Sequence, residues 1–182
     1  MSQKKEEYLP ILVPSLGMSV HSSVAFILIP TLMRHQINFV SNTISKTGTP
    51  IARQMLVDSL KMIEKKVKVI KNEKGEYFTL WVDDDIVVDE QSSEEVAQCV
   101  EKRENCVWNY PLLDRPAINE SEGIYGFGLA TLWIPPNYKF RSGWFPDREL
   151  YMSEDVAFFQ ETGIKPTIKS NVKHFKKVLL SL

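Results

Sequence analysis

A chain of 182 residues is long enough for one domain with a real hydrophobic core, or one domain with a small appendage. It is 43% hydrophobic and 25% charged, with a net charge of −1. That balance is ordinary for a globular protein and excludes a polyelectrolyte partner such as nucleic acid, which calls for a basic face.

No secretory leader is visible: Lys4 and Lys5 precede a short apolar stretch that Pro10, Pro14 and Gly17 interrupt. The longest apolar segment, Val24 to Met33, is too short to span a bilayer and contains Pro30. Cys99 and Cys106 lack zinc-site spacing and read as reduced thiols. A cytoplasmic protein is expected. Lys165, Lys169, Lys173, Lys176 and Lys177 leave room for a weak peripheral membrane contact.

In chain order, Tyr8–Val13 is an apolar run stopped by Pro14 and predicts a first strand. Ser19 to His35 predicts a helix that Pro30 kinks or ends early. Ile37–Val40 is a second short apolar run. Thr49-Pro50 opens a helix, with Thr as cap and Pro in the first helical position. Ile51, Met55, Leu56, Met62 and Ile63 recur along it at roughly helical spacing. Tyr77–Val82, aromatic and β-branched, predicts a strand. Ser92 with Glu95 predicts a capping box for a helix to about Arg103. Cys106–Tyr110 and Ile124–Ile134 predict two more strands, the second entered through the glycines of "YGFG". Ser153 caps a helix from Glu154 to about Glu161, closed by Gly163. The tail "IKSNVKHFKKVLL" predicts a short strand and a docking segment. The alternation of strands and helices through the first 110 residues predicts an α/β domain with a largely parallel sheet.

The stretch "TLWVDDDIVVDE" poses the chemical question. Three aspartates, Asp83, Asp84 and Asp85, follow an apolar strand, at the carboxyl end where open α/β sheets bind ligands. On an extended chain Asp83 and Asp85 face the same way, and two carboxylates together raise each other's pKa. A hard divalent cation, Mg²⁺ or Mn²⁺, removes that conflict and keeps positions open for phosphates. An acidic turn after a strand is the plain alternative. Arg53 sits near the start of its helix, where the dipole disfavours a cation unless an anion lies close. A diphosphate or one of the aspartates would serve, and the two are compatible. Gly126 and Gly128 permit a close backbone approach or a bulge. Trp108, Trp133 and Trp144 could stack on sugar rings or serve as core, with Trp144, in "RSGWFPDREL", favoured for the acceptor side. That loop is a candidate lid. His21 and His35 carry no supporting pattern.

"FTLWVDDDIVV" resembles the D-x-D segment of GT-A fold glycosyltransferases. Further similarities follow in that family's order: "YLPILVPSLG", "TGTPIARQMLVDSL", "YGFGLATLWIP", "YMSEDVAFFQETGI" and "NVKHF". The resemblance spans residues 8 to about 177. The chain is short for the family, near a minimal catalytic core, as in the small glycosyltransferases of some archaeal viruses, which would make the location a host cytoplasm.

The resemblance implies one GT-A-like (Rossmann-like) domain over residues 1–182, with a mostly parallel central sheet flanked by helices. Residues 8–110 would form its nucleotide-binding half and 111–182 its acceptor-side half. It implies a nucleotide-diphosphate sugar donor, a carbohydrate, glycoprotein or glycolipid acceptor, and Mn²⁺ or Mg²⁺. Pro14, Ser15, Arg53, Asp83, Asp84, Gly126 and Gly128 would line the nucleotide-sugar site, with Asp83 nearer the ribose and Asp84 supporting the loop. Asp85, Asp83 and His174 would hold the metal. Asp155 would be the base of an inverting transfer and Glu154 would orient the acceptor, or the two roles would be exchanged. The family usually has Asn after the arginine, where this chain has Gln54. Two other functions fit less well. A nucleotidyltransferase usually has a glycine-rich basic loop after the first strand, and "VPSLGMSVHSS" has one glycine and no Lys or Arg. A non-catalytic binding protein would lack a ligand or a base, and Asp85 and Asp155 are both present.

Overall fold

The computed structural model describes residues 6–15, 20–45, 49–110, 118–120, 125–145 and 150–174. Six strands form the central sheet: β1 (Leu9–Ser15), β2 (Phe39–Ser45), β3 (Tyr77–Val82), β5 (Cys106–Asn109), β6 (Leu129–Ile134) and β9 (Thr167–Asn171). The order across the sheet is β2-β1-β3-β6-β5-β9. β1 pairs parallel with β2 and β3, and β5 parallel with β9, whereas β6 is antiparallel to both β3 and β5. Only β6 therefore runs against the others. The sheet is mostly parallel, and both halves of the chain contribute strands to it.

Four helices flank the sheet: α1 (Ile29–Arg34), α2 (Thr49–Ile63), α3 (Glu90–Lys102) and α4 (Glu154–Thr162). Side chains alternate along the strands, which feeds two cores. Leu9, Ile11 and Val13 of β1 meet Leu32 of α1 and Val96 and Val100 of α3. On the other face Leu12 and Trp81 meet Leu56, Val57 and Leu60 of α2 and Phe158 and Phe159 of α4. Every residue of β1 and β3 is buried. That is why both read as continuous apolar runs, as in sheets covered on both faces. No helix among the described residues is long and apolar enough to cross a membrane.

Several boundaries differ from the sequence expectation. β1 does not stop at Pro14: the register continues through Pro14↔Ile44 to Ser15↔Ser45. Proline's fixed φ suits an extended strand and removes only a donor. The segment before α1 is π-helical over Val24–Leu28, and the Ile29 N–H bonds back to Val24 O. This wider turn sits just before Pro30, where the ring would clash with a carbonyl four residues back, so the chain passes the proline as helix. α2 already includes Thr49, which was expected as its cap. α3 begins earlier than Ser92. Asp89 is its cap, accepting from Ser92 N at 2.8 Å, and Ser92 Oγ accepts in return from Asp89 N at 2.9 Å. Glu95 instead accepts from Trp108 Nε1 at 3.0 Å and Ser170 Oγ at 2.7 Å. The short strands β4 (Ile86–Val87), β7 (Gly143–Phe145), β8 (Leu150–Met152) and β10 (Lys173–His174) had no counterpart in the sequence reading apart from the tail strand. β4 pairs with β10 and β7 with β8, both antiparallel.

Just after α1, His35 lies between two carboxylates of α3, 2.7 Å from Glu94 and 2.8 Å from Glu101. The two acids, Glu101 the stronger, raise its pKa above the ordinary 6.5 because both ring nitrogens need a proton to donate. This contribution to stability is full below the unfolded value and is lost as pH rises through the raised folded value. Urea unfolding at about pH 6 and about pH 9 should show wild type losing stability that His35→Gln does not lose. Equal pH dependence in the two proteins would contradict the assignment.

Candidate active site

The strand order reverses at β1: β2 lies on one side and β3 on the other. In open α/β sheets the crevice outside the carboxyl ends of such a pair is the ligand-binding position. Ser15 ends β1 and the three aspartates follow β3, so the reversal brings them together. Ser15 Oγ donates to Asp84 Oδ2 at 2.7 Å. The Asp84 backbone carbonyl accepts from His21 N at 3.0 Å, which ties the aspartate turn to the segment ahead of α1. Pro14 is buried in the strand.

Arg53, on the inner face of α2, is 2% exposed. Its Nε donates to Glu154 Oε1 at 3.2 Å, and its Nη2 lies 3.3 and 3.4 Å from the two Asp83 oxygens. Nη1 has no partner. The guanidinium carbon sits 4.8 Å from the Phe127 ring centre and 5.4 Å from that of Trp81. Arg53 therefore does pair with an aspartate, but in the core rather than at the surface, and it joins β3 to α4 as well. Burial disfavours its charge, yet Asp83, Glu154 and Asp155 outweigh that and hold it protonated.

The acids repel one another through the same crevice. Burial pushes Asp83 up to about 6; Arg53 opposes the shift, and Asp85, Asp155 and Glu154 add to it. Glu154 and Asp155 open α4 after Ser153, whose backbone is extended. The Ser153 hydroxyl does not cap the helix; it contacts Asp155 Oδ1, which also accepts from Val156 N at 2.9 Å. Glu154 is 8% exposed and bonded to Arg53, whereas Asp155 is only partly buried. Gly163 closes the helix with φ 68°.

Asp85 meets His174 on the neighbouring ribbon, where β10 pairs with β4 and sets His174 opposite Ile86. The Asp85 Oδ2 to His174 Nε2 distance is 2.9 Å, and His174 Nδ1 is buried with no partner among the described residues. A carboxylate oxygen and an imidazole nitrogen are donors that Mn²⁺ or Mg²⁺ would accept, so these two residues would hold such an ion. Asp83 is held by Arg53 instead. Among the described residues Asp83, Asp85 and His174 do not form a closed three-ligand group.

Tyr110, at the carboxyl end of β5, was not singled out from the sequence. Its ring is 5.4 Å from that of His174, and its hydroxyl accepts from Gly128 N at 3.3 Å. Burial, then the charges of Asp83 and Asp155, push its pKa up. The signal available was position alone, since it too follows a strand's carboxyl end.

Gly126 is buried ahead of Phe127. Gly128 O accepts from Asp83 N at 2.8 Å, which fixes the start of the aspartate turn. A Cβ on Gly128 would lie 2.5 and 2.7 Å from Tyr110 ring atoms and 2.9 Å from Ile86 Cδ1. The glycine is thus needed for close approach. Gly128→Ala should lower stability by about 1–3 kcal/mol through overpacking, read by thermal unfolding. An unchanged transition would show that the Tyr110 ring is not locked there.

Other residues lie elsewhere. Trp108 is a fully buried core residue bonded to Glu95. Trp133 pairs in register with Phe78, packs on its ring at 5.0 Å, and donates to Arg103 O. Phe78 is near the amino end of β3, away from the aspartates, so neither tryptophan can stack on a ligand there. The Trp144 side chain, most of the "FPDREL" loop, the "LGMS" turn, and Lys176 and Lys177 lie outside the described residues. Gln54 accepts from Phe140 N at 2.8 Å and so holds the segment after β6. Cys99 and Cys106 are buried free thiols brought together with Glu104, all three ligand atoms within 4.8 Å.

Compared with models of known protein families and with curated proteins, the chain matches none.

Proposed function

We propose that the protein is a metal-dependent glycosyltransferase that moves a sugar from a nucleoside-diphosphate sugar to an acceptor hydroxyl with inversion. One observation carries the reading. Residues far apart in sequence, Arg53, Asp83, Glu154 and Asp155, converge with the Asp85–His174 pair at the strand-order reversal. Four acids at one crevice, with a single buried arginine between them, suit a site that receives a cation and a diphosphate together. The resemblance of "VDDD", "SEDV" and "NVKHF" to GT-A enzymes points the same way.

In this reading Asp85 and His174 would hold Mn²⁺ or Mg²⁺, which when bound neutralises charge on the leaving diphosphate. Arg53 is a positioning residue: it fixes Asp83 and Glu154. Asp83 and Ser15 face the nucleoside. Asp155, more accessible than Glu154 and not tied to Arg53, takes the acceptor proton as the acceptor oxygen bonds to the anomeric carbon and the bond to the diphosphate breaks. Glu154 orients the acceptor.

The test is a panel of nucleotide sugars with Mn²⁺, read for released nucleoside diphosphate. Release that Asp85→Ala abolishes supports the assignment. No release from the nucleotide sugars, with pyrophosphate released instead from a nucleoside triphosphate and a sugar phosphate, would make the protein a nucleotidyltransferase, and no product with any donor would favour a binding role.

A further inference from the structure

We infer that the outer face of α2 is an interfacial membrane-docking surface that takes a bilayer bearing anionic lipid headgroups. The inference is independent of the reaction proposed for the crevice.

The inner face of α2 is spent on the core: Ala52, Arg53, Leu56, Val57 and Leu60 are all buried. Its outer face carries three large apolar residues turned to solvent. Ile51 is 60% exposed, Met55 48% and Met62 58%. At 3.6 residues per turn these positions fall within about 40° of one another, so they form one stripe along the helix. Nothing among the described residues covers it. A stripe of this kind loses free energy in water and gains it wherever a partner removes it from solvent.

The charges beside the stripe select the partner. Lys61, Lys65 and Lys66 are exposed in and just after the last turn of α2. None has a carboxylate partner among the described residues. Lys65 Nζ lies 3.9 Å from Met62 Sδ, so its stem runs along the apolar surface. Asp58 is the acid within the stripe; it accepts from Gln54 at 2.9 Å and faces Lys139 at 3.6 Å. Apolar residues with lysines at their margins suit a membrane interface, where the side chains enter the acyl boundary and the ammonium groups reach the phosphates. The net charge of −1 makes this attraction local to α2 rather than general.

A second exposed apolar pair supplies an internal control. Phe26 and Met33 lie on the opposite face of the sheet. Glu90, Glu94 and Arg34 line the groove at Phe26, and Arg34 is paired with Glu94. That surface has no excess positive charge and should not bind anionic lipid.

The experiment uses the full chain and sedimented vesicles of phosphatidylcholine, alone or with about 30% phosphatidylglycerol, at low and high salt. Wild type should bind the anionic vesicles, release with salt, and bind neutral vesicles far less. Lys61→Gln/Lys65→Gln/Lys66→Gln should weaken binding by about a hundredfold and Met55→Ser/Met62→Ser by about tenfold or more. Phe26→Ser should leave it unchanged. All these positions are exposed, so thermal unfolding should show the variants folded. The proposal is overturned if wild type ignores anionic vesicles, or if binding survives both α2 variants. It is also overturned if the protein is a dimer that Met55→Ser/Met62→Ser dissociates and that does not bind vesicles, because the stripe would then be covered by a second copy.

Discussion

Replacing Arg53 with Met is expected to destabilise the protein by about 3–5 kcal/mol at neutral pH, the range for stranding one side of a buried ion pair. The stem and volume are roughly kept, and so is contact with Trp81 and Phe127, so packing is not the main loss. The loss is the charge. Arg53 is the cation bonded to both Asp83 and Glu154, whose side chains are 23% and 11% exposed. Without it, two acids face each other in a crevice that already pushes Asp83 up to about 6. Asp83 would then take a proton more readily in the folded state than in the unfolded one. The fold would bind more protons than the unfolded chain, so the variant's stability should recover as pH falls through that range. Adding Asp83→Asn and Glu154→Gln should restore most of the loss, because the stranded charges are gone. Urea unfolding at neutral and mildly acid pH checks each point. A loss independent of pH, and not repaired by the two further substitutions, would mean that packing of Arg53 outweighs its charge.

Asp155→Asn is expected to reduce transfer by about 10²- to 10⁴-fold, the range for removing a general base. Asparagine can still accept from Ser153 and Val156 N, so the start of α4 should keep its geometry. Nucleoside diphosphate binding should therefore be unchanged. Glu154→Gln should behave differently, losing stability as well as turnover, because Glu154 is bonded to Arg53. Proton NMR of donor and product should show opposite anomeric configurations. Retained configuration, with Asp155→Asn turning over within a few-fold of wild type, would remove Asp155 from the base role.

Much of this architecture is legible in the chain itself. "YFTLWV" reads as a strand from its aromatic and β-branched residues, and the structure has β3 at those bounds, buried throughout. α2 and α4 are legible from periodicity and from Thr49-Pro50 and Gly163. What escapes the sequence is made by tertiary contact. β4 and β10 are two-residue strands with no period to detect, yet their pairing is what brings His174 to Asp85. The capping box of α3 was placed three residues late because Ser92 can serve as cap or as the third residue of the box, and only the backbone decides. Arg53 is hidden for a related reason. A charged residue is ordinarily a surface residue, and its burial follows from two acids, one of them 101 positions away. Tyr110 and Trp133 show the same limit in opposite senses, since sheet register puts one near the crevice and the other away from it.

If Asp85 and His174 hold a metal that takes a diphosphate, nucleotide binding at the crevice depends on both the metal and Asp85. Calorimetric titration of UDP, GDP, CDP and dTDP, with and without Mn²⁺, into wild type and Asp85→Ala tests it most directly. One of the nucleotides should bind wild type only when Mn²⁺ is present, and Asp85→Ala should abolish that binding while its thermal unfolding stays near that of wild type. Absence of binding by all four nucleotides under both conditions, or metal-independent binding that survives Asp85→Ala, would contradict it and leave Asp83–Asp85 as an acidic turn at the end of β3.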